Sequence, residues 1–215
     1  EDIPIYVKQA IISTEDKRFY KHKGIDYRGI MRAVVAMIQD GEVTQGGSTI
    51  TQQLARTVFL SNERTWERKI EEMYIAVELE KKYSKEEILE FYLNNVYFAN
   101  GYYGIEAAAQ GYFGMDVSHL SLSQMIYLCA IPNNPTLYNP LTHADKTQAR
   151  RDRILKSMLE DQVISESSYQ TAVAEQIKTT EPEEIKNNYA ETYTYYCATR
   201  ALMELEGFEF QTVFS

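Results

Sequence analysis

Gln45-Gly46-Gly47-Ser48-Thr49-Ile50-Thr51-Gln52-Gln53-Leu54-Ala55-Arg56 is the stretch on which the reading of this chain turns. Two glycines permit a tight turn, and the hydroxyl side chains after them are the kind that cap helices. Ile50 and Leu54 stand four apart, as on one helix face. The stretch predicts a turn feeding a helix that starts near Ser48 or Thr49 and runs to about Leu60. Two readings of that start stand together. Backbone N–H groups at a helix N-terminus suit an anionic or heavily hydroxylated ligand. An ordinary Ser/Thr cap on a glycine turn uses the same residues.

Helical signals continue outward in both directions. Upstream, Tyr6 to about Ser13 reads as a short apolar helix, and Asp26 can cap a helix carrying Ile30, Val34, Val35 and Ile38, closed by Gly41. Downstream, Trp66, Ile70, Met73 and Val77 step by four, three and four. This predicts a helix from about Glu63 to Lys82 with those residues facing a core. Ser84 with Glu87, and Ser121 with Gln124, form capping boxes for two further helices. Pro132, Pro135 and Pro140 make the next segment irregular. Helices then follow from about Ala144 to Asp161, from Ser165 to about Gln176, and from Tyr189 to Glu206. Strand-like alternation is scarce, so the expected class is all-α.

The chain has 215 residues, 44% of them hydrophobic and 25% charged, which fits one large domain or one domain with a small lobe. Its net charge of −9 argues against a basic nucleic-acid binder. The charge is uneven: Lys17, Arg18, Lys21, Lys23, Arg28 and Arg32 crowd one segment, a patch able to meet an anionic group or anionic lipid. Cys129 and Cys197 form no disulfide framework, and Cys129 sits in an apolar run that predicts burial. His22, His119 and His143 have no metal-ligand spacing, so no metal site is expected. No apolar run reaches the length of a membrane span and no signal peptide is evident, and the start reads as that of an excised fragment.

Three constellations can carry chemistry. Glu15 and Asp16 follow an apolar segment and precede a basic cluster with Phe19, His22 and Gly24. A carboxylate there can serve as acid or base, or simply cap a helix. The quoted stretch is the second. In the third, Arg64, Arg68 and Glu72 share a helix face at four-residue steps, with Lys69 three residues from Glu72. It reads either as an exposed ion-pair ladder or as a cationic clamp around one carboxylate.

Together these segments resemble the peptidoglycan glycosyltransferases, the glycan-polymerising domains of class A penicillin-binding proteins and of monofunctional transglycosylases. The family pattern Glu-Asp-x-x-Phe-x-x-His-x-Gly is met by Glu15, Asp16, Phe19, His22 and Gly24. The pattern Gly-Gly-Ser-Thr-Ile-Thr-Gln-Gln-Leu is met by Gly46 through Leu54. The pattern Arg-Lys-x-x-Glu, with an Ala and a Glu beyond it, is met by Arg68, Lys69, Glu72, Ala76 and Glu80. Segments 88–94, 104–109 and 128–140 also fit, so the likeness covers about residues 8 to 176. One departure is Arg56-Thr57 where the family has Lys-Asn. Arg keeps the charge and adds a bidentate fork, while Thr drops an amide.

The resemblance implies a lysozyme-like fold, with a large helical lobe, a small membrane-proximal jaw and a cleft between them. It implies that residues 1–180 form the glycosyltransferase domain and that 181–215 lead toward a transpeptidase not included here. The implied reaction polymerises lipid II. The 4-hydroxyl of an acceptor sugar attacks the anomeric carbon of an undecaprenyl-pyrophosphate-linked donor, with inversion. Glu15 would be the general base and Glu72 would assist on the donor side. Arg56, Arg64, Arg68 and Lys69 would meet the pyrophosphate, and Asp16, Phe19, His22, Ser48, Thr49, Gln52 and Gln53 would bind substrate. The implied partners are lipid II, the growing glycan, the membrane surface and moenomycin-type inhibitors, with no nucleic acid. The implied location is the outer face of the bacterial cytoplasmic membrane. A divalent cation, Mg or Mn, is expected to assist the pyrophosphate in some members of the family, though no ligand cluster here demands one.

Two rivals remain at the level of sequence. A hydrolase cutting glycan strands would use one carboxylate as acid and water as nucleophile, but it has no pyrophosphate to release. A catalytically silent glycan-binding module would tolerate loss of Glu15.

Overall fold

The computed structural model describes residues 3–40, 47–60 and 65–180. Among them are helices α1 (Ile5–Glu15), α2 (Tyr27–Asp40), α3 (Ile50–Phe59), α4 (Trp66–Lys82), α5 (Lys85–Asn95), α6 (Ile105–Phe113), α7 (Leu122–Cys129), α8 (Ala144–Glu160) and α9 (Glu166–Ala174). Two short 3-10 turns, Phe19–Lys21 and Val117–His119, complete the set. Extended pairing among the described residues is limited to two isolated bridges, so the all-α expectation holds. The helix expected over 189–206, Cys197 within it, and the boundary expected at 181 lie outside the described residues.

The local capping chemistry explains most helix starts. Thr49 caps α3 in a capping box with Gln52, and Ser121 caps α7 in another with Gln124. Ser84 and Glu87 bond reciprocally at the start of α5. Asp26 accepts from the backbone N–H of Arg28 at 3.2 Å, in the first turn of α2. Burial pushes the Asp26 carboxyl up. The Gly29 N–H, the Arg18 guanidinium and His22 outweigh that and hold it below the ordinary carboxylate range.

The chain divides into two compact units, the division falling within α1 after Thr14 and within α5 after Tyr92. The unit made of 3–14 and 93–180 has an apolar core that includes Val7, Ile11, Phe98, Tyr102, Tyr112, Ile126, Leu128, Ile154 and Leu155. Cys129 is buried there, its Sγ donating to the Val7 carbonyl at 3.9 Å. The Tyr102 ring crosses Tyr112 edge-on at 5.1 Å, and burial pushes the Tyr102 hydroxyl up to about 12. Gly111 makes room for it, since a Cβ at 111 would fall 2.1 Å from the Tyr102 ring.

A fully buried arginine closes this unit. Arg151 of α8 donates to Ser123 Oγ at 2.8 Å, to the Glu175 carbonyl at 2.9 Å and to the Val173 carbonyl at 3.3 Å. It thereby satisfies carbonyls that the end of α9 leaves without helical partners. Further on, Thr180 donates its N–H to the Tyr112 carbonyl and its hydroxyl to the Gly111 carbonyl, at 2.8 and 2.5 Å.

In the unit made of 15–92, α3 packs along α4. The buried face of α4 is Glu72, Ile75, Ala76 and Leu79, an i, i+3, i+4, i+7 set. Trp66 is 83% exposed and Ile70 53%, so the expectation that they face a core is corrected. The stripe was drawn through apolar residues alone, whereas the helix buries a carboxylate instead. On α2, Val34, Val35 and Ile38 are likewise exposed, with Tyr27 and Met31.

Candidate active site

All the described residues singled out from the sequence lie in the unit 15–92. Four segments build the site: the end of α1, the turn through Gly24, the start of α3 and the first half of α4.

Glu15 is the last residue of α1. Its Oε2 accepts a hydrogen bond from Gln53 Nε2 at 3.2 Å. Asp16, next in sequence, turns inward. Its Oδ2 accepts from His22 Nε2 at 2.8 Å and from the Ile50 backbone N–H at 3.1 Å. The two neighbouring carboxylates thus have separate surroundings. Asp16 caps α3 from 34 residues away, and Glu15 stays half-buried beside an amide.

The start of α3 is occupied by the protein's own groups. Ile50 N–H goes to Asp16, and Gln52 N–H goes to Thr49 Oγ1 at 3.1 Å. Gln52 Oε1 returns to the Thr49 N–H at 2.9 Å. The capping reading of the glycine-hydroxyl stretch is therefore the one realised. Those two amides are spent on the fold and do not form an open anion cradle. Thr49 Oγ1 also donates to the Gly24 carbonyl at 2.6 Å. Gly24 has φ +88°, and a Cβ there would stand 2.7 Å from the Ala76 carbonyl oxygen of α4. Only glycine fits that approach, which locks the first motif onto the third.

Beneath this layer lies a buried polar hub that joins Glu80 and His22, both named from their motifs, to Thr51 and Lys85, which were not among the candidate site residues. Glu80 Oε1 accepts from Thr51 Oγ1 and from Lys85 Nζ, both at 2.6 Å. His22 Nδ1 lies 3.7 Å from the same oxygen. Lys85 Nζ stands 4.4 Å over the centre of the Phe19 ring. Phe19 is fully buried, and Asp16, His22, Thr49 and Gln52 are nearly so. These five shape the site from behind.

The cationic cluster is organised around Glu72, which has no exposed surface. Arg68 Nη1 meets its Oε2 at 2.8 Å, and Lys69 Nζ meets its Oε1. Lys69 Nζ also donates to Ser48 Oγ at 2.8 Å, joining α4 to the segment just before α3. A lone buried carboxylate would cost several kcal/mol. Two cations neutralise this one and leave about one unit of positive charge on partly exposed side chains. The clamp reading of this run is the geometry present, and the exposed-ladder reading is not. Arg56 is half-buried on α3, and Arg64 lies outside the described residues.

Among the described residues no three His, Cys, Asp or Glu side chains are placed to hold a metal ion. The carboxylates of Asp16, Glu72 and Glu80 already accept from protein donors, so these residues do not fit a metal centre. No described helix is long and apolar enough to cross a membrane.

The chain is similar in sequence to known proteins. Penicillin-binding protein 4 of Bacillus subtilis is 44% identical over 96% of this chain and 33% of its own length. Penicillin-binding protein 1A of Aquifex aeolicus is 46% identical over 80% of the chain and 24% of its own length. Penicillin-binding protein 1A of Escherichia coli is 44% identical over 82% of the chain and 21% of its own length. The chain thus spans a third or less of these relatives. The family described as Transglycosylase matches residues 1–159, a range that contains every segment of the site. The chain belongs to the transglycosylase family.

Proposed function

We propose that this chain is a peptidoglycan glycosyltransferase domain that polymerises lipid II in bacterial cell wall synthesis. The observation that carries the reading is the separation of two carboxylates with different partners. Glu15 is half-buried beside one amide, and Glu72 is wholly buried between two cations.

A sugar hydroxyl is a poor nucleophile at neutral pH. Glu15 is assigned as the general base that takes its proton as it attacks the donor's anomeric carbon. The leaving group is a lipid pyrophosphate, and its departure builds negative charge. Arg68 and Lys69 are assigned to meet that charge, with Arg56 and Arg64 as further cations. Glu72 then acts through its partners: its burial favours holding Arg68 and Lys69 in place over touching substrate. Ser48 and Gln53 are assigned to substrate contact. Asp16, Phe19, His22, Thr49 and Gln52 are assigned to holding the site in shape. The residues do not supply a metal centre, so a Mg or Mn ion would arrive on the pyrophosphate, and no step depends on it.

The reading places the domain at the outer face of the cytoplasmic membrane, with the exposed apolar residues of α2 toward the lipid. Moenomycin-type inhibitors would compete for the donor cations. Residues 181–215 would lead toward a further domain.

Labelled lipid II and finished glycan are the two test substrates. Polymer is expected from lipid II, with no cleavage of glycan. Glu15→Gln is expected to lower polymerisation by about a hundredfold or more. Full polymerisation by that variant would remove the base assignment, and cleavage of glycan would make the protein a hydrolase.

A further inference from the structure

Tyr92 of α5 sits in an apolar row with Ile88, Leu89 and Leu93, all buried. Phenylalanine would pack there equally well. A buried hydroxyl is costly unless it is hydrogen-bonded, so its presence points to a partner. That partner is Gln53: Tyr92 Oη donates to Gln53 Oε1 at 3.2 Å. Gln53 Nε2 in turn donates to Glu15 Oε2.

The direction of this chain is set by chemistry. An ionised carboxylate only accepts, so Gln53 must offer Glu15 its NH2 group. Its carbonyl oxygen then faces Tyr92, where a donor is required, and the hydroxyl is that donor. We propose that Tyr92 is a positioning residue for the transfer reaction: it fixes the orientation of the Gln53 amide and through it the Glu15 carboxylate. The proposal rests on the reading of Glu15 as the base. Without the hydroxyl, the Gln53 oxygen lacks this donor and the amide can turn its carbonyl toward the carboxylate. Glu15 then loses a held geometry while the substrate-facing cations are untouched.

The test is steady-state polymerisation of lipid II by the intact protein carrying Tyr92→Phe, Gln53→Met, both changes, or Glu15→Gln. Tyr92→Phe is expected to lower kcat about tenfold, roughly the upper end of the worth of one neutral hydrogen bond, with KM within about twofold of the parent. Gln53→Met is expected to lower kcat at least as much, and adding Tyr92→Phe to it should change kcat no further. Circular dichroism confirms that each variant is folded. A parental kcat in either single variant overturns the proposal. So does an undiminished tenfold effect of Tyr92→Phe in the Gln53→Met background, which leaves the base reading standing if Glu15→Gln is inactive. Full activity of Glu15→Gln overturns both.

Discussion

The two units of this chain distribute polarity in opposite ways. In the unit made of 3–14 and 93–180, apolar and tyrosine side chains fill the core, and its buried arginine meets backbone carbonyls, Ser123 and the Asp152 carboxylate. In the unit 15–92, Asp16, His22, Gln52, Gln53 and Glu72 are buried while Tyr27, Met31, Val35, Ile38 and Trp66 are exposed. A soluble fold gains nothing from that second pattern, since it desolvates charge and leaves apolar surface wet. The difference teaches where selection for stability gives way to selection for a reaction and a surface. It makes a definite claim: loss of the first unit's buried arginine should be read in stability, and damage to the second unit's buried polar site or exposed apolar face mainly in activity or binding.

The largest expected effect concerns Arg151. Arg151→Met leaves the Val173 and Glu175 carbonyls and Ser123 without their donor, and should cost about 3 kcal/mol or more. Thermal unfolding should show a lowered Tm. Polymerisation per folded molecule should stay at the parental rate, and a matching fall in kcat would break the division between the units.

Next in size is the outer face of α2. Met31→Ser with Ile38→Ser removes two of its most exposed apolar side chains. Association with vesicles containing anionic lipid should weaken about tenfold, with an unchanged Tm. Equal sedimentation of parent and variant with the vesicles would mean that this face has another purpose.

The smallest effect sharpens the comparison inside the polar unit. Asp26 is held below the ordinary carboxylate range by its partners. A group depressed in the folded state contributes stability above its unfolded value, about pH 4, and loses it as pH falls through the lower folded value. Asp26→Ala should cost about 1 kcal/mol at neutral pH, as a lost helix cap does, and should flatten the acid side of the stability curve. Denaturant titrations at several pH values measure both. A loss that persists unchanged below pH 2 would assign the effect to packing.

What could be read from the sequence was what is local. Thr49 with Gln52, Ser84 with Glu87, and Ser121 with Gln124 lie three residues apart, and each pair caps a helix by bonds that need no distant partner. The motifs around Glu15 and Glu72 were legible because their residue types and order are specific. Long-range contacts were hidden. Nothing near Asp16 announces that it caps a helix starting at Ile50. The buried face of α4 was misjudged because a carboxylate stands in it, neutralised partly by Lys69, which also reaches back to Ser48. Glu80 matched the third motif and Tyr92 lay in the matching segment 88–94, but a match does not say what a side chain meets, because burial and long-range contact decide that. The Glu80 hub joins residues 22, 51, 80 and 85, a grouping with no periodicity to detect.

Thr180 and Arg151 also have a mechanical meaning. The chain after α9 is fastened at two places, by Arg151 at the carbonyls of Val173 and Glu175 and by Thr180 on the last turn of α6. A pull on residues beyond 180 therefore meets the Thr180 fastening before it reaches α9. Force entering from that side is delivered first to the Gly111–Tyr112 backbone, beside the edge-on Tyr102 ring, and only then to the arginine. The helix end behind these anchors is shielded from peeling, and the order in which the two fastenings give way sets how this unit would unravel under load.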